Sequence, residues 1–286
     1  MRPQRIPPSR AATTAAKRRF AGCFPRGVRP GRLGGVEPAA STRRFFLADP
    51  QADRPQLLPE ELRHALGVLR LGPGDPLLGL DGVGGLHPLI VRRATRSMLE
   101  LERCGEVQRE PRPGTAGAPM AWIEVAAALP KGARAESTLG RLTQLGISAF
   151  QPLVCARDQG FAREKVEKRG AGLERACREA CKQSRRAWVP EIRAGVRPAQ
   201  LKELYGNFDA VLLSPEAAFG LLHWCATPRS RPVALIAGPE GGFDGAELAE
   251  LGFAAPARLG PHILRIETAI EAAAATVAQF PWAARA

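Results

Sequence analysis

The chain has 286 residues, 45% of them apolar, and a formal net charge of +13 from 41 Lys+Arg against 28 Asp+Glu. That length favours two domains, and the apolar share is ordinary for a soluble protein with packed cores. No apolar run approaches a membrane span, and the six cysteines (Cys23, Cys104, Cys155, Cys177, Cys181, Cys225) form no CxxC pair and no zinc-finger spacing with histidine, so neither a membrane nor a metal is an expected partner.

Residues 1–42 hold nine basic side chains and one acid, Glu37, so only about +5 of the net charge remains for the body. This stretch has no sustained periodicity and reads as a disordered basic extension. Arg-rich and acid-poor, it fits either an organellar transit peptide or a plain basic arm. It lacks the apolar core of a secretion signal, and a cytoplasmic location is expected. The surplus of cations points to nucleic acid, because each cation set on a phosphate releases condensed counterions. The cysteines read as small buried apolar residues in a reducing compartment.

Structure is expected to begin at Arg43-Arg44-Phe45-Phe46-Leu47. Residues 58–71 carry Leu62, Ala65, Leu66 and Leu69 at helical spacing. The turn-rich 72–76 leads to short strands at 77–80, 86–92 and 98–103, with Gly82–Gly85 as a hairpin turn. No helix follows that turn, as a phosphate loop would require. Short strands separated by Gly and Asp turns suggest a small β-barrel over 43–110. The Pro/Gly-rich 110–117 reads as a linker.

Beyond it, over 118–286, strands and helices alternate. Strands are expected at 122–129, 147–154, 208–213 and 233–237. Helices are expected at 133–145, closed by Gly146, at 163–186 and at 267–279. Asp244 with Glu247 three residues later forms a capping box. Strands that are apolar on both faces belong to a mostly parallel sheet, so the fold class is α/β.

Two glycine-rich segments stand out near the end: Gly238-Pro239-Glu240-Gly241-Gly242, and Leu259-Gly260-Pro261-His262-Ile263-Leu264-Arg265-Ile266-Glu267-Thr268. Each follows a short apolar run, and about twenty residues separate them, so both can flank one ligand. The first lacks the Gly-Lys-Ser/Thr ending of a P-loop and is not GxGxxG, which disfavours an ATPase or a dinucleotide enzyme.

The order strand, GPEGG, helix, LGPxxLRxETA, Ala-rich helix resembles the RsmE family of SPOUT-superfamily RNA methyltransferases. Other stretches agree: Arg43-Arg44-Phe45-Phe46, the helix from His64 to Leu71, residues 129–146, and Glu179-Ala180-Cys181-Lys182-Gln183-Ser184-Arg185-Arg186 running on to Val189-Pro190-Glu191-Ile192. The resemblance spans about residues 43–280. It implies a PUA-like RNA-binding barrel, a trefoil-knotted α/β domain, a homodimer and S-adenosylmethionine as methyl donor. It also implies, as substrate, N3 of one uridine in the ribosomal RNA of the small (30S) subunit. A knot is beyond what composition or spacing shows.

The resemblance places the donor at the end of the Leu212-Leu213-Ser214-Pro215 strand and in the two glycine-rich segments. The expected contacts are Leu213, Gly238, Pro239, Glu240, Gly242, Leu259, Gly260, Ile263 and Leu264. Uridine N3 is protonated at neutral pH, and a nearby cation favours its anion. Arg265 is the expected catalytic group, stabilising charge on the uracil oxygens; the alternative is an ion pair with Glu267 or Glu240. Glu240 suits a cap or an orienting role, and His262 stands where the family commonly has arginine. Expected RNA contacts are Arg43, Arg44, Arg70, Arg157, Gln183 and Arg186, with Lys131, Arg134, Lys182 and Arg185 nearby. Two other activities fit parts of the pattern: a knotted ribose 2′-O-methyltransferase, and a non-catalytic RNA-binding ribosome-assembly factor.

Overall fold

A computed structural model describes residues 42–118, 120–130, 133–157, 163–227 and 229–280, with the backbone alone for 163–168. The expected extension (except Thr42) and Lys131 lie outside the described residues. The chain divides into two compact units. One holds the described residues up to Asp81 together with Gly85–Arg109; the other holds Gly82–Gly84 and the chain from Glu110 onward.

The first unit contains strands β1 (Arg44–Phe46), β2 (Pro76–Leu80), β3 (Gly85–Ala94), β4 (Leu99–Arg103) and β5 (Gln108–Arg109). β2, β3 and β4 pair antiparallel in order, β5 joins the start of β3, and β1 lies parallel to β2. The period-two rule is visible in β4, where Leu99 and Leu101 are buried and Glu100 faces solvent. Among the described residues the pairings form an open path of four strands, β1-β2-β3-β4, with β5 branching off at β3.

Helix α1 (Pro59–Gly67) covers the core of Phe45, Leu77 and Leu89 with Ala65, Leu62 and Leu66. Proline in its first turn costs no hydrogen bond, since that N–H has no partner in a helix. The sequence predicts this helix through Leu71, but it stops at Gly67. Arg70 takes a φ of 51°, and the Leu71 N–H turns back to the Ala65 carbonyl at 3.0 Å.

His87 is buried on β3. Its Nδ1 lies 2.8 Å from Arg103 Nη1, and its Nε2 faces Asp81 at 3.7 Å. Arg103 Nη2 also donates to the carbonyls of Pro50 and Ala52 at 2.8 and 3.1 Å. Burial, then the Arg103 charge, holds the imidazole below its ordinary range, so Nδ1 accepts and Nε2 carries the hydrogen.

The second unit is a six-stranded sheet made of β6 (Ile123–Ala128), β7 (Ala149–Leu153), β8 (Glu191–Ile192), β9 (Asp209–Leu213), β10 (Val233–Ala237) and β11 (Ala255–Ala257). Its order is β11-β9-β10-β6-β7-β8, with every pairing parallel. The central strands are buried on both faces, which is why they read as unbroken apolar runs.

One face carries α2 (Arg134–Gln144), α3 (Arg163–Ser184) and, later in the chain, α7 (Ile266–Ala278), which share a core with Val125 and Leu235. α7 buries Ile270, Ala273, Ala274 and Val277, a stripe at helical spacing. The other face packs α4 (Leu201–Tyr205) and Leu251, at the end of α6 (Gly245–Glu250), on Ala126 and Ile236. α5 (Leu221–Cys225) packs Leu221 and Trp224 into the first of these cores.

Cys155, Cys177, Cys181 and Cys225 are buried thiols; burial pushes Cys181 up to about 12. The predicted strands and helices of this unit are present, and the capping box forms. The Glu247 N–H donates to Asp244 Oδ1 at 2.8 Å, and the Asp244 N–H to Glu247 Oε2 at 2.9 Å.

Candidate functional site

Three adjacent parallel strands, β11, β9 and β10, end on the same side of the sheet, so the loops that follow them meet. Residues 213–216, 238–243, 259–260 and 262–264 wall one cavity of about 510 Å³, with Arg157 joining from the loop after β7. All nine residues expected to contact the ligand line it: Leu213, Gly238, Pro239, Glu240, Gly242, Leu259, Gly260, Ile263 and Leu264.

The first glycine-rich loop owes its shape to two of its glycines. Gly242 has a φ of 68°, a conformation that costs an L-residue about 1–2 kcal/mol, and its N–H closes the turn onto the Pro239 carbonyl at 2.8 Å. A Cβ on Gly238 would come within 3.1 Å of the Phe243 ring packed beneath it. The loop is then tied sideways. Glu247 accepts from the Ala156 N–H at 2.8 Å, and Arg157 Nη1 donates to the Gly241 carbonyl at 3.0 Å. Arg157 is the one Lys or Arg among the described residues lining the cavity.

The second loop presents apolar side chains without a protein partner to cover them. Ile263 is 87% exposed and Leu264 38%, although both face the cavity. Exposed apolar groups on a concave wall, beside main-chain donors and acceptors, are the ordinary makings of a small-molecule site. The titratable groups on the wall besides Arg157 are Glu216, Glu240 and His262, all exposed. Among the described residues no three His, Cys, Asp or Glu side chains meet as a metal site.

Arg265 sits at the N-cap of α7, its carbonyl accepting from the Ala269 N–H at 2.9 Å. Its side chain is exposed and does not line the cavity, although Leu264 and Ile266 on either side do. The ion pair weighed for it does not form among the described residues. Glu267 is instead engaged by Arg134 at 3.1 Å.

The expected RNA contacts are scattered. Arg43, Arg44 and Arg70 belong to the first unit, where Arg70 and Arg96 border a shallow cleft of about 340 Å³. Gln183 is exposed near the end of α3. Arg186 turns inward: Nη1 donates to the Thr143 carbonyl at the end of α2, at 3.1 Å, and burial pushes the guanidinium below its usual range. That is the placement of a helix-end cap, not of a group offered to phosphate. Ser214 and Pro215, at the strand end where the donor was expected, line the cavity too, as do Glu216 and Phe243, which the sequence reading did not name. Glu216 continues the same strand end, so a signal for it was present in the strand-end rule.

A family model described as an RNA methyltransferase domain matches residues 117–278. The ribosomal RNA small subunit methyltransferase E of Mycobacterium tuberculosis is 34% identical over 227 residues, covering 75% of this chain and 82% of the relative. A Legionella pneumophila protein solved with S-adenosylmethionine bound superposes with a TM-score of 0.70 at 28% identity, over 82% of this chain and 96% of that one. The ribosomal RNA small subunit methyltransferase E of Neisseria gonorrhoeae, also solved bound to S-adenosylmethionine, gives a TM-score of 0.68 at 25% identity, over 82% and 95%.

Proposed function

We infer, from the premise that this chain belongs to the ribosomal RNA small subunit methyltransferase E family, that it uses S-adenosylmethionine to methylate N3 of a uridine in small-subunit ribosomal RNA. The observation that carries the inference is the convergence of three strand-end loops on one cavity, with every residue expected to touch the donor on its wall.

The residues fit the donor. Its volume class suits a ligand of this size, and Gly238 and Gly242 keep side chains off the wall. Leu213, Leu259, Ile263 and Leu264 offer apolar contact, and main-chain groups at Gly238 and Gly260 can read a heterocycle. Glu216 and Glu240 place negative charge on the rim of a site whose ligand carries a sulfonium and an ammonium against a single carboxylate. Bound there, S-adenosylmethionine supplies a methyl group already activated by its sulfonium.

The remaining task falls to the protein: favouring the N3 anion of uracil. Arg265 does this by stabilising negative charge on the uracil oxygens from the N-terminus of α7. Arg157 at the cavity rim, Gln183, and Arg43, Arg44 and Arg70 of the first unit contact the RNA. Arg186 keeps its structural role. The reading includes a trefoil knot in the second unit, a PUA-like barrel in the first, a homodimer and a cytoplasmic location.

The test is methyl transfer from labelled S-adenosylmethionine to purified small subunits, followed by mass spectrometry of the nucleosides. The expected product is 3-methyluridine. Ribose 2′-O-methylation in its place overturns the N3 assignment; RNA binding with no methyl transfer and no heat of donor binding overturns the enzyme.

A further inference from the structure

We propose that Arg258 is a positioning residue of the donor site, holding the 214–220 loop against the 258–265 loop so that the cavity is formed before the ligand arrives. The proposal rests on the function given above.

Arg258 is the first residue after β11 and belongs to neither glycine-rich segment. Its N–H donates to the Phe219 carbonyl at 3.0 Å, its carbonyl accepts from the Leu221 N–H at 2.8 Å, and it pairs with Gly220 as a parallel bridge. Its guanidinium Nη1 donates to the Ala217 carbonyl at 2.7 Å and the Ala218 carbonyl at 2.6 Å. Three consecutive carbonyls, 217 to 219, thus point at one residue.

Packing does little of this work. Ala217 is buried, but Ala218 is exposed, and Phe219, 61% exposed, stacks its ring on His223 at 5.0 Å. The hydrogen bonds therefore set the path of the loop. Immediately before it come Ser214, Pro215 and Glu216, one cavity wall; immediately after Arg258 come Leu259 and Gly260, the facing wall. Without the guanidinium the two backbone bonds keep the strands paired, but the Ala217 and Ala218 carbonyls are released. The ligand must then order the loop itself, and binding is weakened by that cost.

Both side-chain contacts come from the same nitrogen, so a lysine ammonium placed there can serve them, whereas methionine keeps only the apolar stem. In the full chain, titration calorimetry with S-adenosylmethionine is expected to show Arg258→Met binding about tenfold weaker than wild type, with Arg258→Lys recovering most of the loss. KM for the donor rises in step with Kd, while kcat at saturating donor and KM for small subunits stay near wild type.

A methionine variant that binds within about twofold of wild type overturns the proposal, as does a folded lysine variant that binds as weakly as the methionine one. Should Arg258→Met fail to fold, hydrogen exchange on the wild-type protein decides. The amides of Ser214, Ala217 and Leu221, which donate to the carbonyls of Ala257, Ser214 and Arg258, are expected to be protected without ligand, and fast exchange there overturns a preformed wall. A wild-type protein that gives no heat with S-adenosylmethionine sinks the donor assignment itself, and with it the role of Arg258.

Discussion

Glu124→Gln should destabilise the second unit while leaving the donor site intact. The Glu124 side chain is 1% exposed on β6, and its carboxylate takes Arg193 Nη1 at 2.7 Å, Arg193 Nη2 at 2.8 Å and Trp122 Nε1 at 2.6 Å. Burial alone would weaken the charge on Arg193, but Glu124 and then Glu191 more than offset it, and the guanidinium is held above its usual range. An amide in place of the carboxylate leaves that cation with a neutral partner and turns one acceptor into a donor. Stranding one member of a buried pair costs about 3–5 kcal/mol. Arg193 keeps 32% of its side chain in solvent, which lowers the expectation to about 2–3 kcal/mol. For a domain of this size that is a fall in Tm of about 5–10 °C, read by calorimetry. The donor affinity should stay within about twofold of wild type, because Glu124 lies near the amino end of its strand and the cavity at the carboxyl ends. Glu124→Gln/Arg193→Gln should regain part of the loss, since no charge is stranded. A Tm within about 1 °C of wild type, or a tenfold loss of donor affinity, would refute the reasoning.

Gly242→Ala forces a Cβ into a φ of 68° and should cost about 1–2 kcal/mol of loop stability, seen as weaker binding of S-adenosylmethionine; Gly242→Asn should bind better than the alanine variant. Arg265→Ala should lower turnover on small subunits much further than donor affinity, and equal losses would reduce Arg265 to a binding residue. Burial, then the Arg103 charge, holds His87 below the ordinary histidine value of 6.5, so the folded state binds fewer protons than the unfolded one just below 6.5. Its contribution is whole above 6.5 and is lost as pH falls through that window, with a slope of at most about 1.4 kcal/mol per pH unit. Urea unfolding at about pH 7.5 and about pH 5.5 should therefore show a larger acid loss for wild type than for His87→Asn, and equal losses would exclude the histidine as the cause.

The second unit was legible because its elements declare themselves. Val233–Ala237 is apolar throughout, Gly146 follows the last turn of α2, and Asp244 with Glu247 spells a capping box that forms as read. The missing pieces are short. β8 has two residues, β11 three, and α4 and α5 five each, too few for a periodicity to appear. β11 is an Ala-Pro-Ala segment that becomes a strand only because β9 offers it an edge. The cavity wall was legible for the same reason as the sheet, since glycine-rich loops at strand ends carry their own signature. Side-chain direction was not. Arg186 and Arg157 look alike in sequence, yet one caps a buried helix end and the other reaches the cavity. Arg258 had no signal at all, because its partners are carbonyls of a loop with no motif.

The placement of charge separates folding from function in the second unit. Its two buried carboxylates among the described residues sit at the amino ends of central strands. Glu124 is the second residue of β6, and Asp209, the first of β9, takes Arg231 at 2.7 Å. At the carboxyl ends the titratable groups that line the wall among the described residues, Arg157, Glu216, Glu240 and His262, are all exposed, over a floor of apolar residues and main chain. Buried pairs can hold the sheet together at one end because the reaction makes no demand there. A cationic methyl donor needs the other end free of fixed buried cations, which would oppose its binding at close range. Arg265 meets that need by its position. Arg265 is exposed on the N-cap of α7 and off the wall, so in the function proposed above it would act on a uracil presented from solution without lying against the sulfonium. This arrangement predicts that replacing Arg265 costs turnover and spares the donor, and it explains why the wall residues should do the reverse.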